Sequence, residues 1–189
     1  MTDSELMQLS EQVGQALKAR GATVATAESC TGGWVAKVIT RSPVRPGLTR
    51  ICHYSNEAKA QMIGVREQTL AQHGAVSEPV VVEMAIGALK AARADYAVST
   101  DGIAGPDGGS GKRSRREPSG FAFATARGEG ITRRECFSGD RDAVRRQATA
   151  YALATLLATI STKHSKHPVP AYSIINLNRK ILTIRYYPA

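Results

Sequence analysis

Apolar positions recur at spacings of three and four along residues 4–20, where Leu6, Leu9, Val13 and Leu17 line one face of a helix that Gly21 ends. The period then changes. Residues 21–27 are small or β-branched, as in a short strand, and Glu28-Ser-Cys-Thr-Gly-Gly33 is a tight turn into a second helix over 31–40. Pro43, Pro46 and Gly47 make 41–48 a loop, and 49–54 read as a strand. Asn56 is placed to cap a helix over 57–63. Ser77-Glu-Pro79 starts another, with Ser as cap and Pro in the first turn, and Val80 to Arg93 continue it. Residues 95–100 form a strand that feeds a glycine-rich run from Gly102 to Gly109. Two strands, 121–126 and 131–137, make a hairpin turning near 127–130, and Asp140 caps a last helix over 141–160. Helices alternate with strands and one hairpin comes late, which predicts an α/β layered domain on a mixed sheet. Residues 162–189 fit neither period and serve no visible face. They are expected to form a loosely packed tail behind a domain over 1–161.

Composition narrows the class. A chain of 189 residues, 42% of them hydrophobic, has the material for one domain with its own core. No stretch reaches the ~18 apolar residues that a membrane-spanning helix needs. The opening MTDSELMQLSEQ is polar and acidic, unlike a signal peptide. Cys30, Cys52 and Cys136 are odd in number and lack a CxxC spacing, which argues against a disulfide scaffold and a zinc finger. A reducing, cytoplasmic compartment is the expectation.

The formal charge of +9 invites a nucleic-acid reading, but its distribution argues otherwise. Segments 41–52, 112–118 and 162–189 hold 12 basic and 1 acidic residues, a charge of +11. The remaining 13 basic and 15 acidic residues give −2. The basicity thus belongs to three stretches of foreign composition. The run Lys112-Arg-Ser-Arg-Arg116 has no interleaved aromatics and reads as a solvated loop. Neither a nucleic-acid partner nor a membrane is expected.

The strand-to-helix turn is the first candidate for chemistry. Ser29 there is either a helix cap or an exposed nucleophile beside backbone N–H groups that can hold an oxyanion. Gly32 and Gly33 allow a ligand close to the backbone. Cys30 is a rival nucleophile if a helix N-terminus activates it, and otherwise a buried, inert thiol. A serine needs a base. His53, His73, His164 and His167 are available, but no GxSxG or ordered Ser-His-Asp set is present. Lys59, one turn into a helix and near Tyr54, is the other option, provided that burial or a neighbouring cation frees its amine. The run Gly102–Gly109 follows a strand, where α/β proteins place ligand loops. Arg141, Arg145 and Arg146 near the last helix start could clamp a phosphate, or form a solvated face.

AESCTGGWVAKVIT at 27–40, YSNEAKAQMIGV at 54–65, the stretch 74–99, GIAGPDGG at 102–109 and the stretch 121–153 together resemble the C-terminal domain family of the competence-damage protein CinA. Its single-domain bacterial members are nicotinamide-nucleotide amidohydrolases. The resemblance implies a three-layer α/β/α sandwich and hydrolysis of the carboxamide of nicotinamide mononucleotide. It implies a small-molecule nucleotide as partner, no metal or cofactor, and a homo-oligomer, dimer or trimer. By matching position, Ser29 becomes the nucleophile and Lys59 the base, with Tyr54 beside them. Thr31, Gly32, Gly33, Asn56, Gly102, Ala104, Gly105, Pro106, Arg141 and Arg145 fall where the family lines its nucleotide pocket.

Four features depart from the family pattern: residues 41–52, residues 111–119, the tail 162–189, and Asp101, where the family carries Ser or Thr. The sharp edges of the three stretches are those that wrong-frame translation would leave. A gene read encoding all three in frame would exclude it.

Overall fold

A computed structural model describes residues 2–41, 48–52, 55–105, 119–162 and 182–185. The elements run α1 (Asp3–Ala19), β1 (Val24–Glu28), α2 (Trp34–Arg41), β2 (Leu48–Cys52), α3 (Asn56–Ile63), α4 (Glu67–His73), α5 (Glu78–Ala92), β3 (Tyr96–Asp101), β4 (Ser119–Thr125), β5 (Glu129–Glu135), α6 (Arg141–Thr162) and β6 (Leu182–Arg185). The described strands form one sheet in the order β2-β1-β3-β4-β5-β6. β1 lies parallel to β2 and β3, and β4, β5 and β6 continue antiparallel. This is the mixed sheet expected, with helices on both faces.

Strand alternation divides the core in two. Val24, Val98, Phe121 and Phe123 pack with α1, α2 and α6 through Val13, Leu17, Val35, Ile39, Leu153 and Leu156. The intervening Ala25, Ala27 and Ala97 meet Val80, Met84 and Ala88 of α5, with Ile63 at the end of α3. Large side chains fill one face and alanines the other, so α5 lies close on the sheet. Strands buried on both faces lose the polar alternation of a half-exposed sheet.

Several boundaries differ from the sequence reading for identifiable reasons. α2 starts at Trp34 rather than at 31, because Gly32 and Gly33 hold φ at +61° and +86°. Ser55, not Asn56, caps α3, its Oγ accepting from the Ala58 N–H at 3.2 Å. Ser77 occupies the cap position of α5 but donates to the Gly74 carbonyl, while Pro79 sits in the first turn as expected. Asp140 does cap α6, accepting from the Ala143 N–H at 2.8 Å. α4 has no counterpart in the sequence reading. Its start is held from α5, where Glu83 accepts from the Arg66 N–H at 2.9 Å and from Thr69 Oγ1 at 2.8 Å. In the tail, Leu182–Arg185 pair with β5 as an edge strand, and its remaining residues from 163 onward lie outside the described residues. No described helix is long and apolar enough to cross a membrane.

Candidate active site

The chain passes from β1 to β2 through α2 on one face, then crosses to β3 through α3–α5 on the other. In the strand order β1 is followed by β2 on one side and β3 by β4 on the other, so the carboxyl ends of β1 and β3 flank a switch point, the crevice where open α/β sheets hold ligands. Ser29 follows β1 at this edge, half-buried, and its backbone N–H donates to the Thr100 carbonyl at 2.9 Å. The turn closes through Gly32 N–H to the Ser29 carbonyl at 3.0 Å and Trp34 N–H to the Thr31 carbonyl at 3.2 Å.

Glu28 underpins this turn. Its buried carboxylate accepts from the N–H groups of Val35 and Ala36 at 3.0 and 2.9 Å and from Thr31 Oγ1 at 2.7 Å. Thr31 Oγ1 is also 2.7 Å from Thr100 Oγ1. A carboxylate only accepts, so Thr31 gives its proton to Glu28 and Thr100 donates to Thr31. The amides opening α2 are thereby occupied. The backbone N–H groups expected to be free beside Ser29 therefore do not include those of Val35 and Ala36.

Lys59 projects from α3 into the same edge and is 2% exposed. Its Nζ donates to Asp101 Oδ2 at 2.7 Å and reaches the Ala75 carbonyl at 3.5 Å. The other Asp101 oxygen accepts from the Gly102 N–H at 2.9 Å. Ser29 and Lys59 are thus each one hydrogen bond from adjacent residues of β3, Thr100 and Asp101. Cys30 lies beneath them. Burial, and then the Asp101 carboxylate, push its thiol up to about 12, against the opposing pull of the Thr100 and Ser119 hydroxyls. It is therefore a protonated, buried thiol, and the helix start does not activate it. From α6, Arg145 Nη2 donates to the Thr31 carbonyl at 2.9 Å, with its guanidinium 5.7 Å from the Trp34 ring centre. Arg141 Nη1 donates to the Gly105 carbonyl at 3.3 Å. The first turns of α6 therefore touch both loops of the crevice.

The sequence pattern of the CinA C-terminal domain matches residues 6–160. The chain belongs to this family. It is 81% identical over 161 residues to the nicotinamide-nucleotide amidohydrolase PncC of Escherichia coli, a match covering 82% of this chain and 95% of that protein. The PncC of Pseudomonas putida is 43% identical, over 79% of this chain and 93% of its own length. Among solved structures, the competence damage-inducible protein A of Klebsiella pneumoniae superposes with a TM-score of 0.78 at 38% identity, covering 84% of this chain and 99% of that one. The competence/damage inducible protein of Agrobacterium tumefaciens gives 0.76 at 33% identity, over 82% and 94%.

Of the residues that the CinA resemblance singles out, Ser29, Thr31, Gly32, Gly33, Lys59, Gly102, Gly105, Arg141 and Arg145 gather at this carboxyl edge. An added Cβ on Gly32 would lie 2.4 Å from Arg145 Nη2, so the glycine gives that guanidinium its place. Ala104 is buried, and Asn56 is exposed in the first turn of α3. Tyr54 and Pro106 lie outside the described residues, as do His53, His164 and His167. His73 is exposed at the end of α4. Glu28 and Thr100 were not singled out from sequence. The available signal was polarity at strand positions whose neighbours are all buried. Among the described residues no cluster of His, Cys, Asp or Glu is arranged to hold a metal.

Proposed function

We propose that the chain hydrolyses the carboxamide of nicotinamide mononucleotide, giving nicotinate mononucleotide and ammonia, by acyl transfer through Ser29. The observation that carries this reading is a half-buried serine on a strand-to-helix turn and a buried lysine at the same sheet edge, the first tied through its backbone N–H and the second through its amine to consecutive residues of β3. The naming of the 81% identical Escherichia coli relative as an amidohydrolase supports the same substrate.

Ser29 Oγ attacks the carboxamide carbon as Lys59 Nζ, in its neutral form, takes the hydroxyl proton. Turn amides ahead of α2, other than that of Gly32, which is bonded to the Ser29 carbonyl, stabilise the oxyanion. The proton then passes from Lys59 to the departing nitrogen, which leaves as ammonia. Water, deprotonated by the same amine, cleaves the nicotinoyl ester and restores the serine. Arg141 and Arg145 supply positive charge for the substrate phosphate, and Gly102 and Gly105 let the loop approach the nucleotide.

Ammonia release from nicotinamide mononucleotide by the purified chain tests this directly. Ser29→Ala is expected to lower kcat by about 10³-fold or more, the scale of losing a nucleophile. Release that persists in the variant refutes Ser29. A second reading, a nucleotide-binding protein with impaired chemistry, draws on the Lys59–Asp101 ion pair, which sets a carboxylate against the amine that must act as base. Binding of the nucleotide without ammonia release would favour it.

A further inference from the structure

We infer that Asp101 is a positioning residue that controls the proton on Lys59: its carboxylate holds the amine as ammonium, so that catalysis waits on transfer of that proton to the carboxylate. The inference rests on the Ser29–Lys59 reading and deepens it.

The geometry is that of a closed ion pair. Both side chains are 3% exposed and their charged atoms lie 2.7 Å apart. Asp101 is itself held by the Gly102 N–H on its second oxygen, so the carboxylate has a fixed direction. The other neighbour of Nζ is the Ala75 carbonyl, again an acceptor. Burial alone favours a neutral amine, whereas an adjacent carboxylate favours the cation. Among the described residues, the other charged or titratable groups nearby leave this balance to Asp101. Cys30 is a protonated thiol. Glu28 is spent on α2 and Thr31. On α5, Glu78 accepts from Thr132 and Glu83 from Arg66 and Thr69, and Glu57 of α3 is exposed.

The consequence is a preliminary step. The Nζ–H bond to the bridging proton breaks as an Oδ2–H bond forms, leaving a neutral amine beside a neutral carboxyl. Only then does the Nζ lone pair accept the Ser29 proton. A serine at position 101, one of the two residue types that the CinA resemblance implies there, offers no such sink and leaves Lys59 buried without a counter-ion, which favours the free amine.

The test compares the full chain with Asp101→Ser and with Asp101→Asn, which keeps the volume and removes the charge. Steady-state hydrolysis of nicotinamide mononucleotide is followed across pH, and the ¹³Cε resonance of Lys59, assigned by its loss in Lys59→Arg, is followed on the same samples. Removing the carboxylate dissolves the buried ion pair that holds the proton on the amine, so kcat at neutral pH is expected to rise about tenfold or more in the variants. KM is expected to change little, and the rising limb of the pH profile to move to lower pH. The resonance should show the neutral amine at lower pH than in the parent. An unchanged resonance titration in both variants overturns the inference, whether or not the chain is active. Ammonia release that survives Ser29→Ala overturns the serine reading instead, and the resonance still decides Asp101. If Asp101→Ser does not fold, Asp101→Asn carries both readouts.

Discussion

At the scale of single residues, Glu28 stands in for a helix cap from an unusual direction. Most caps precede their helix and bond the amides two or three residues on. Glu28 is instead the last residue of β1, and its carboxylate collects two α2 amides and a threonine hydroxyl while buried in the sheet layer. Every acceptor bond it makes holds the turn that carries Ser29. Glu28→Gln keeps the volume but replaces one oxygen with a donor that faces donors. A buried donor left without an acceptor costs about 1–3 kcal/mol, more where a charge was involved. The urea midpoint is therefore expected to fall by that amount, and kcat to fall with it, since the Ser29 turn loses its support. An unchanged midpoint would show that α2 finds its cap elsewhere. Ser29 and Lys59 were legible as candidates because nucleophile and base types stood in recognisable surroundings. Glu28 was passed over because its partners lie one turn into the next helix, and a sequence does not show where a strand side chain points.

At the scale of elements, the position of Lys59 depends on how closely α3 rests on α5. An added Cβ on Gly87 would lie 1.9 Å from the Ile63 carbonyl oxygen, a backbone atom that cannot swing aside. Ile63 ends α3, one turn beyond Lys59. Gly87→Ala thus obliges α3 to move away from α5 and carry the lysine with it. Overpacking of this kind costs about 1–3 kcal/mol, against the gain of up to ~1 kcal/mol from alanine in a helix interior. The expectation is a modest fall in Tm and a larger loss of kcat than that fall explains, measured on samples still fully folded. Equal activity would mean that α3 relaxes without moving its amine. The same scale shows what periodicity can and cannot predict. α1 was legible because its apolar face repeats over several turns against a core, and α5 and α6 because Ser77-Glu-Pro79 and Asp140 mark helix starts. α4 was not: it spans only Glu67–His73 and its N-terminal bonds come from Glu83 on another helix. Boundaries at α2 and α3 slipped where glycine conformation or a neighbouring serine decided the first turn.

At the scale of the whole molecule, strand order makes the site. Alternating helices and strands were enough to expect a layered α/β domain, and the CinA resemblance to expect three layers, but not that β1 would lie between β2 and β3 and bring the Ser29 turn against Thr100 and Asp101. That pairing joins segments some seventy residues apart, a long-range contact without local trace. It also buries Cys30 under the crevice, where its thiol reports on global stability. In the unfolded chain the thiol has its ordinary value of 9.0, and in the fold it is pushed up to about 12. Below about pH 9 both states keep the proton and the thiol adds no pH dependence. Between there and about 12 the unfolded chain releases its proton while the folded one retains it. Stability therefore falls as pH rises, by about 1.4 kcal/mol per pH unit from this group. Other side chains titrate in the same range, so the informative quantity is the difference between the parent and Cys30→Ala. The alanine leaves a small cavity whose cost does not depend on pH. Urea unfolding from neutral to alkaline pH is expected to show a constant gap between the two proteins up to the ordinary thiol range. Above it the gap changes steadily in favour of the variant, as the parent alone loses stability through Cys30. Parallel curves throughout would mean that the thiol ionises as readily in the folded protein as in the open chain, and that the crevice floor is wetter than its packing implies.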